Sequence, residues 1–170
     1  DDESWSLHVA RLMIGGKIQN YRNILKRYIR DYGENENINR AVQVLEHAKR
    51  EALATQDKTT LIGYEGMASN AYFEVLPVLI LNQKADFPFH GRNRRPPKDA
   101  VNAMLSFAYT LIANDTSAAL ETVGLDPYVG FLHTLRPGRT SLALDMMEEL
   151  RAYLGDRFVL SLINKRQITS

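Results

Sequence analysis

Asp145 and Glu148 stand three residues apart in a stretch, Ser141 to Tyr153, whose apolar residues (Leu144, Met147 and Leu150, or Met146 and Leu150) mark a helix. That spacing puts both carboxylates on one face, one turn apart, so they can aim at a single point. A solvated acidic edge balancing Arg151 explains the same spacing. His133 lies in GFLHTL, just after the turn residues Gly124, Pro127 and Gly130. A neutral imidazole nitrogen binds divalent metals, and imidazole with carboxylates suits magnesium-like or manganese-like ions; a core or surface histidine is the plainer alternative. Glu65 sits in GYEGMASNAYF, a run of small residues where Gly63 and Gly66 leave space beside the carboxylate and Ala68 and Ala71 suggest close helix packing. A carboxylate in such surroundings requires a positive partner. Either a metal ion or an arginine such as Arg92 or Arg94 would serve.

The run HGRNRRPPK, His90 to Lys98, contains Arg92, Arg94, Arg95 and Lys98 and no acid, and Arg136 and Arg139 flank a Pro-Gly turn. Arginine forks match phosphate oxygens, so these residues can form a phosphate track; a solvated surface loop has the same composition. Phe87, Phe89 and Tyr128 could stack on unpaired bases, although phenylalanines beside a proline also serve as packing anchors.

The elements that must position these groups are helices. Apolar residues from Val9 to Ile29 recur at three and four spacing, with Lys17 and several arginines assigned to the remaining surface. A polar loop, Asp31 to Asn37, leads to a second helix over Ile38 to Ala54, whose other face is charged. The third follows Gln56 and Asp57, carries Glu65, and ends or kinks at Pro77. The stretch after Leu81 is irregular as far as Pro97, long enough to suggest function. A fourth helix is expected over Asp99 to Ile112, a shorter fifth from Asp115 to Gly124, and another from Ser141, capped by Thr140 or Ser141. The segment FVLSLI reads equally as helix or strand.

The chain has 170 residues, 45% of them apolar, enough for one domain with a core. It has no cysteine, which excludes disulfides and thiolate zinc sites and is compatible with a reducing cytosol. Lys and Arg number 21 against 20 Asp and Glu, so any nucleic-acid signal must come from local clustering. No apolar run reaches the length of a membrane span. The opening DDESW is acidic where a secretory signal is basic, and the lack of an initiating Met fits a trimmed piece of a longer chain.

Taken together, GYEGMASNAYF, RNRRPPKDAVNAMLSFAYTLI, GLDPYVGFLH and RPGRTSLALDMMEELR resemble the catalytic helical domain of the Cas-one family, the CRISPR-associated integrase, over nearly the whole chain. The likeness looks closest to members of type I-C systems. It implies a mainly α fold, an irregular multi-helix bundle. Residues 1–170 would form one helical catalytic domain, with two leading helices in 1–55 and the metal-site core in 56–170; the family's N-terminal β-rich domain, which builds the homodimer, is not in this sequence. The resemblance further implies that Glu65, His133 and Glu148 bind Mn2+ or Mg2+, with Asp145 in or near the shell around them. Arg92, Arg94, Arg95, Lys98, Arg136 and Arg139 become candidates for DNA contact. The implied activity is that of a cytoplasmic DNA nuclease and integrase of antiviral defence. It inserts prespacer DNA into a CRISPR array with a Cas-two partner, by attack of a 3′-hydroxyl on a phosphodiester. A non-catalytic helical module binding nucleic acid or protein is the alternative.

Overall fold

Three helices start where a short polar side chain caps them. Asn35, Asp57 and Asp99 sit in extended backbone, and their side-chain oxygens accept from the backbone N–H of Ile38 (3.1 Å), Thr60 (2.7 Å) and Asn102 (2.8 Å). The computed structural model describes residues 2–133 and 136–169. Its helices are α1 (Asp2–Tyr32), α2 (Glu36–Ala54), α3 (Lys58–Leu79), α4 (Ala100–Thr122), α5 (Ser141–Leu150) and α6 (Arg157–Asn164), with a π-helical turn, Arg151–Asp156, joining the last two. Among the described residues there is no strand, so FVLSLI is helical and the mainly α expectation holds.

The long helix α1 touches α2, α3, α5 and the π turn, whereas α4 packs on α5, the π turn and α6. One contiguous apolar core draws on every helix. In α1 the inward stripe is Ala10, Ile14, Ile18, Tyr21, Ile24 and Leu25. Leu12, an apolar residue inside the Val9 to Ile29 run, is exposed, because the buried stripe passes through Ala10 and Ile14, two residues to either side of it. α2 buries Ile38, Ala41, Leu45, Ala48 and Ala52, as its periodicity indicates. α3 passes Pro77 and stops at Leu79.

Three helix expectations need correction. The fourth and fifth helices are one, because nothing from Ala113 to Asp115 interrupts the ladder; the buried Thr116 satisfies its hydroxyl by donating back to the Ile112 carbonyl (2.7 Å). Thr140 precedes α5 but makes no side-chain cap bond. The α-helix also gives way after Leu150 to the wider π turn, which brings Gly155 against Tyr109 of α4. A Cβ at Gly155 would lie 2.7 Å from that ring, so a larger residue does not fit.

The basic loop is tied down from one point. Asn102, fully buried on α4, accepts from Arg92 Nη1 (2.8 Å) and Asn93 N (3.0 Å) and donates to the Gly91 carbonyl (2.9 Å). Phe87 and Phe89 are buried in the core, so they are packing anchors and not stacking platforms; Tyr128 is exposed. Among the described residues no helix is long and apolar enough to cross a membrane.

Candidate active site

The bundle brings the acids of α3 and α5 to a lysine of α1. Lys17 is 2% exposed, and its ammonium contacts Glu65 Oε1 and lies 2.6 Å from Glu148 Oε2. Ser69, one turn along from Glu65, donates to the same Glu65 oxygen (2.8 Å). Arg151 reaches back one turn to both oxygens of Glu148 (3.0 Å each), its guanidinium 4.4 Å from the centre of the Tyr109 ring. Burial alone would raise the Glu148 carboxyl; Lys17 and Arg151 outweigh it and hold it down at about 2. Burial would likewise discharge Lys17, but Tyr21, Glu148 and Glu65 together raise its pKa above the ordinary value.

Asp145 does different work. It is fully buried; Oδ2 accepts from the backbone N–H of Phe131 (2.6 Å) and Leu132 (2.8 Å), and Oδ1 from that of His133 (3.1 Å) and from its ring nitrogen Nδ1. A carboxylate only accepts, so Nδ1 carries a proton, and in the neutral ring the lone pair is then on Nε2. Gly130 permits this approach, since a Cβ there would stand 2.7 Å from Asp145 Oδ2 and 2.8 Å from Ser141. The solvated acidic edge is thus excluded: Asp145 and Glu148 are both buried, one ordering a loop and the other ion-paired.

His133 and Glu148 share the wall of a pocket of about 750 Å³ with Arg92, Arg94, Arg95, Arg136, Arg139 and Arg151. Of the residues read as phosphate contacts, only Lys98 is outside it. Arg94, Arg95 and Arg136 are exposed. Arg92 is spoken for, bound to Asn102 and Ser106 (3.0 Å) and stacked over Tyr109, and its burial lowers its pKa.

The cation that meets Glu65 is therefore Lys17, neither Arg92 nor Arg94. Among the described residues no group of three histidine or acidic side chains stands at the spacing of a metal cage. Gly63 and Gly66 face open space, as their place beside Glu65 suggests. Sequence reasoning missed Lys17, Tyr109 and the buried Asp156, which accepts from the Tyr109 hydroxyl. Lys17 did leave a signal: it falls three residues after Ile14 and four before Tyr21, on the buried stripe itself.

The family model for CRISPR associated protein Cas1 matches residues 1–170. The chain belongs to the Cas1 family. It is 46% identical over 169 residues to a CRISPR-associated endonuclease Cas1 of Leptospira interrogans, covering 98% of this chain and 66% of that protein. Its fold superposes on a chain of a partial Cas6-RT-Cas1–Cas2 complex with a TM-score of 0.89 at 28% identity, over 100% of this chain and 49% of the other. A casposase bound to integration product gives 0.77 at 26% identity, over 97% of this chain and 45% of the casposase. The chain thus spans about half to two-thirds of the length of these Cas1 relatives and neighbours.

Proposed function

We propose that this chain is the catalytic helical part of a metal-dependent DNA endonuclease and integrase that inserts prespacer DNA into a CRISPR array. The observation that carries the reading is the pocket in which His133, held by Asp145, and the ion-paired Glu148 face a ring of arginines. Family membership and the casposase's likeness support it. In the reaction, a prespacer 3′-hydroxyl gives up its proton to solvent as its oxygen bonds to the target phosphorus, the scissile P–O bond breaks, and the released 3′-oxygen takes up a proton from solvent. Arg94, Arg95, Arg136 and Arg139 bind and orient the phosphates, and charge growing on the phosphoryl oxygens is steadied by the same guanidiniums.

Two of the three implied ligands are already placed to receive a divalent ion, although no three-residue cage is formed among the described residues. Glu65 and Glu148 already converge on one cationic point, Lys17 Nζ, and a histidine whose Nδ1–H is fixed by a carboxylate is oriented for ligation through Nε2. Hard oxygen and imidazole donors without thiolate suit Mg2+ or Mn2+. Glu65, His133 and Glu148 would hold the ion, with Asp145 as the residue that fixes the imidazole. Once bound, it would supply Lewis-acid polarisation and a lowered pKa for the attacking or leaving oxygen. A Cas2-family protein and DNA are the partners on this reading, the full-length protein is a homodimer, and the setting is the cytoplasm; a neighbour named as a Cas1–Cas2 complex supports the first.

The Lys17 bridge also suits a second reading, in which Glu65 and Glu148 only tie helices together in a non-catalytic module. Strand transfer by the full-length protein with Mn2+ separates the two. Glu65→Gln and His133→Ala should abolish product while the circular dichroism spectrum is kept. Wild-type rates from His133→Ala would refute the catalytic assignment.

A further inference from the structure

Lys17 is a buried cation of this site that the proposed chemistry does not use. It sits on the buried stripe of α1, and its ammonium bridges acids from two other helices, one from α3 and one from α5. Glu148 has a second cation in Arg151, whose guanidinium is braced on Tyr109. Among the described residues Glu65 is ion-paired with Lys17 only, supplemented by the neutral Ser69 hydroxyl. Two carboxylates are therefore balanced by two fixed positive charges.

A divalent ion entering between Glu65 and Glu148 would raise the local positive charge to twice the negative. At separations of a few ångströms in a water-poor interior, that imbalance is costly. Ammonium and metal ion also want the same thing, the inward oxygens of the same two acids. Arg151 cannot readily yield, being planar, stacked and paired to both oxygens of Glu148, whereas the ammonium rides on a flexible four-carbon stem.

We propose that Lys17 is a built-in competitor for the divalent ion: its ammonium occupies the cation position between Glu65 and Glu148 and must withdraw for the ion to bind. This rests on the assignment of those two glutamates as ligands. Lys17 then keeps two acids compatible with a folded, metal-free bundle and sets the affinity for the ion that replaces it. The competition is mutual, because whatever the ion gains at the two glutamates Lys17 must lose.

The test is Mn2+ binding by the full-length protein, read as loss of the aquo-Mn2+ resonance in electron paramagnetic resonance, for wild type and Lys17→Met. Binding should tighten by about tenfold or more in the variant, the scale of a typical coupling between ligands. Equal or weaker binding in Lys17→Met would overturn the competition while leaving the ligand assignment standing. No binding by either protein at millimolar Mn2+ would remove the assignment and the competition together. If Lys17→Met does not fold, the 15N-lysine-labelled wild type serves instead, with the Lys17 ammonium resonance assigned through Lys17→Arg. Saturating Mg2+ should shift that resonance away from its carboxylate-bound position. A resonance that stays in place would overturn the proposal.

Discussion

Asp156→Asn should stabilise the protein at neutral and alkaline pH and do progressively less as the solution is acidified. Asp156 is fully buried at the end of the π turn, where Oδ1 accepts from Tyr109 and the Tyr72 hydroxyl is another polar group acting on the carboxyl. Burial pushes its carboxyl up from 3.8 to about 6, against the opposing pull of the Tyr109 hydroxyl and Arg151. Because the folded protein holds this proton more tightly than the unfolded chain, stability falls as pH rises from about 4 to about 6 and levels off above that. The full cost of ionising the buried group is about 3 kcal/mol, from a difference of roughly two pKa units at 1.36 kcal/mol each. Asparagine keeps an acceptor for Tyr109 and carries no charge. Its advantage over aspartate should therefore grow by about 2 kcal/mol between pH 4 and pH 8, most of it below pH 6. Urea denaturation of both proteins at pH 4, 5, 6 and 8 measures this difference, and the titration of every other group cancels between them. A stability difference that is flat across that range would refute the reasoning, because the carboxyl would then titrate alike in the folded and unfolded chain.

Asp145→Ala strands three backbone N–H groups and the His133 ring, and should cost about 3 kcal/mol or more; Gly130→Ala, which crowds the same carboxylate, should lower the melting temperature as well. Calorimetry checks both, and a Gly130→Ala protein melting with the wild type would show that the loop does not depend on the close approach. Replacing Arg94 and Arg95 with Glu should weaken DNA binding and flatten its dependence on salt by about one unit of log–log slope per lost phosphate contact, as measured by fluorescence anisotropy. An unchanged slope would remove both residues from the phosphate track.

The helices were legible where periodicity and caps agree. α2 presents its apolar residues at even spacing, so its buried face and its end at Ala54 follow from the sequence, while its start lies two residues earlier than read, at Glu36 after the capping Asn35. Pattern failed where tertiary contact decides. The π turn exists because Gly155 and Asp156 meet Tyr109, more than 40 residues earlier, and no local signal announces it. The site shows the same division. Glu65 was recognisable as a carboxylate in need of a cation, and the Asp145–Glu148 spacing as a shared face. Which cation answers Glu65 depends on how α1 lies across α3, and a lysine on an amphipathic helix is ordinarily assigned to its solvated side. The separate duties of Asp145 and Glu148 were hidden as well, since one turn of helix is enough to send one under the His133 loop and the other toward α1.

The meeting of α1 with α5 also bears on the order in which the chain folds. Asn20 on α1 donates to the Glu149 carbonyl (2.8 Å) across 129 residues of sequence, beside the Lys17–Glu148 pair. Contacts that close so long a loop pay their chain entropy before they are rewarded, so helices α1 to α3, which pair with near neighbours, can assemble first. During synthesis the first half leaves the ribosome with Lys17 and Glu65 able to meet, while Glu148 has yet to emerge. Glu65 therefore has its counter-charge from the outset, and the acid that arrives last finds a cation already in place.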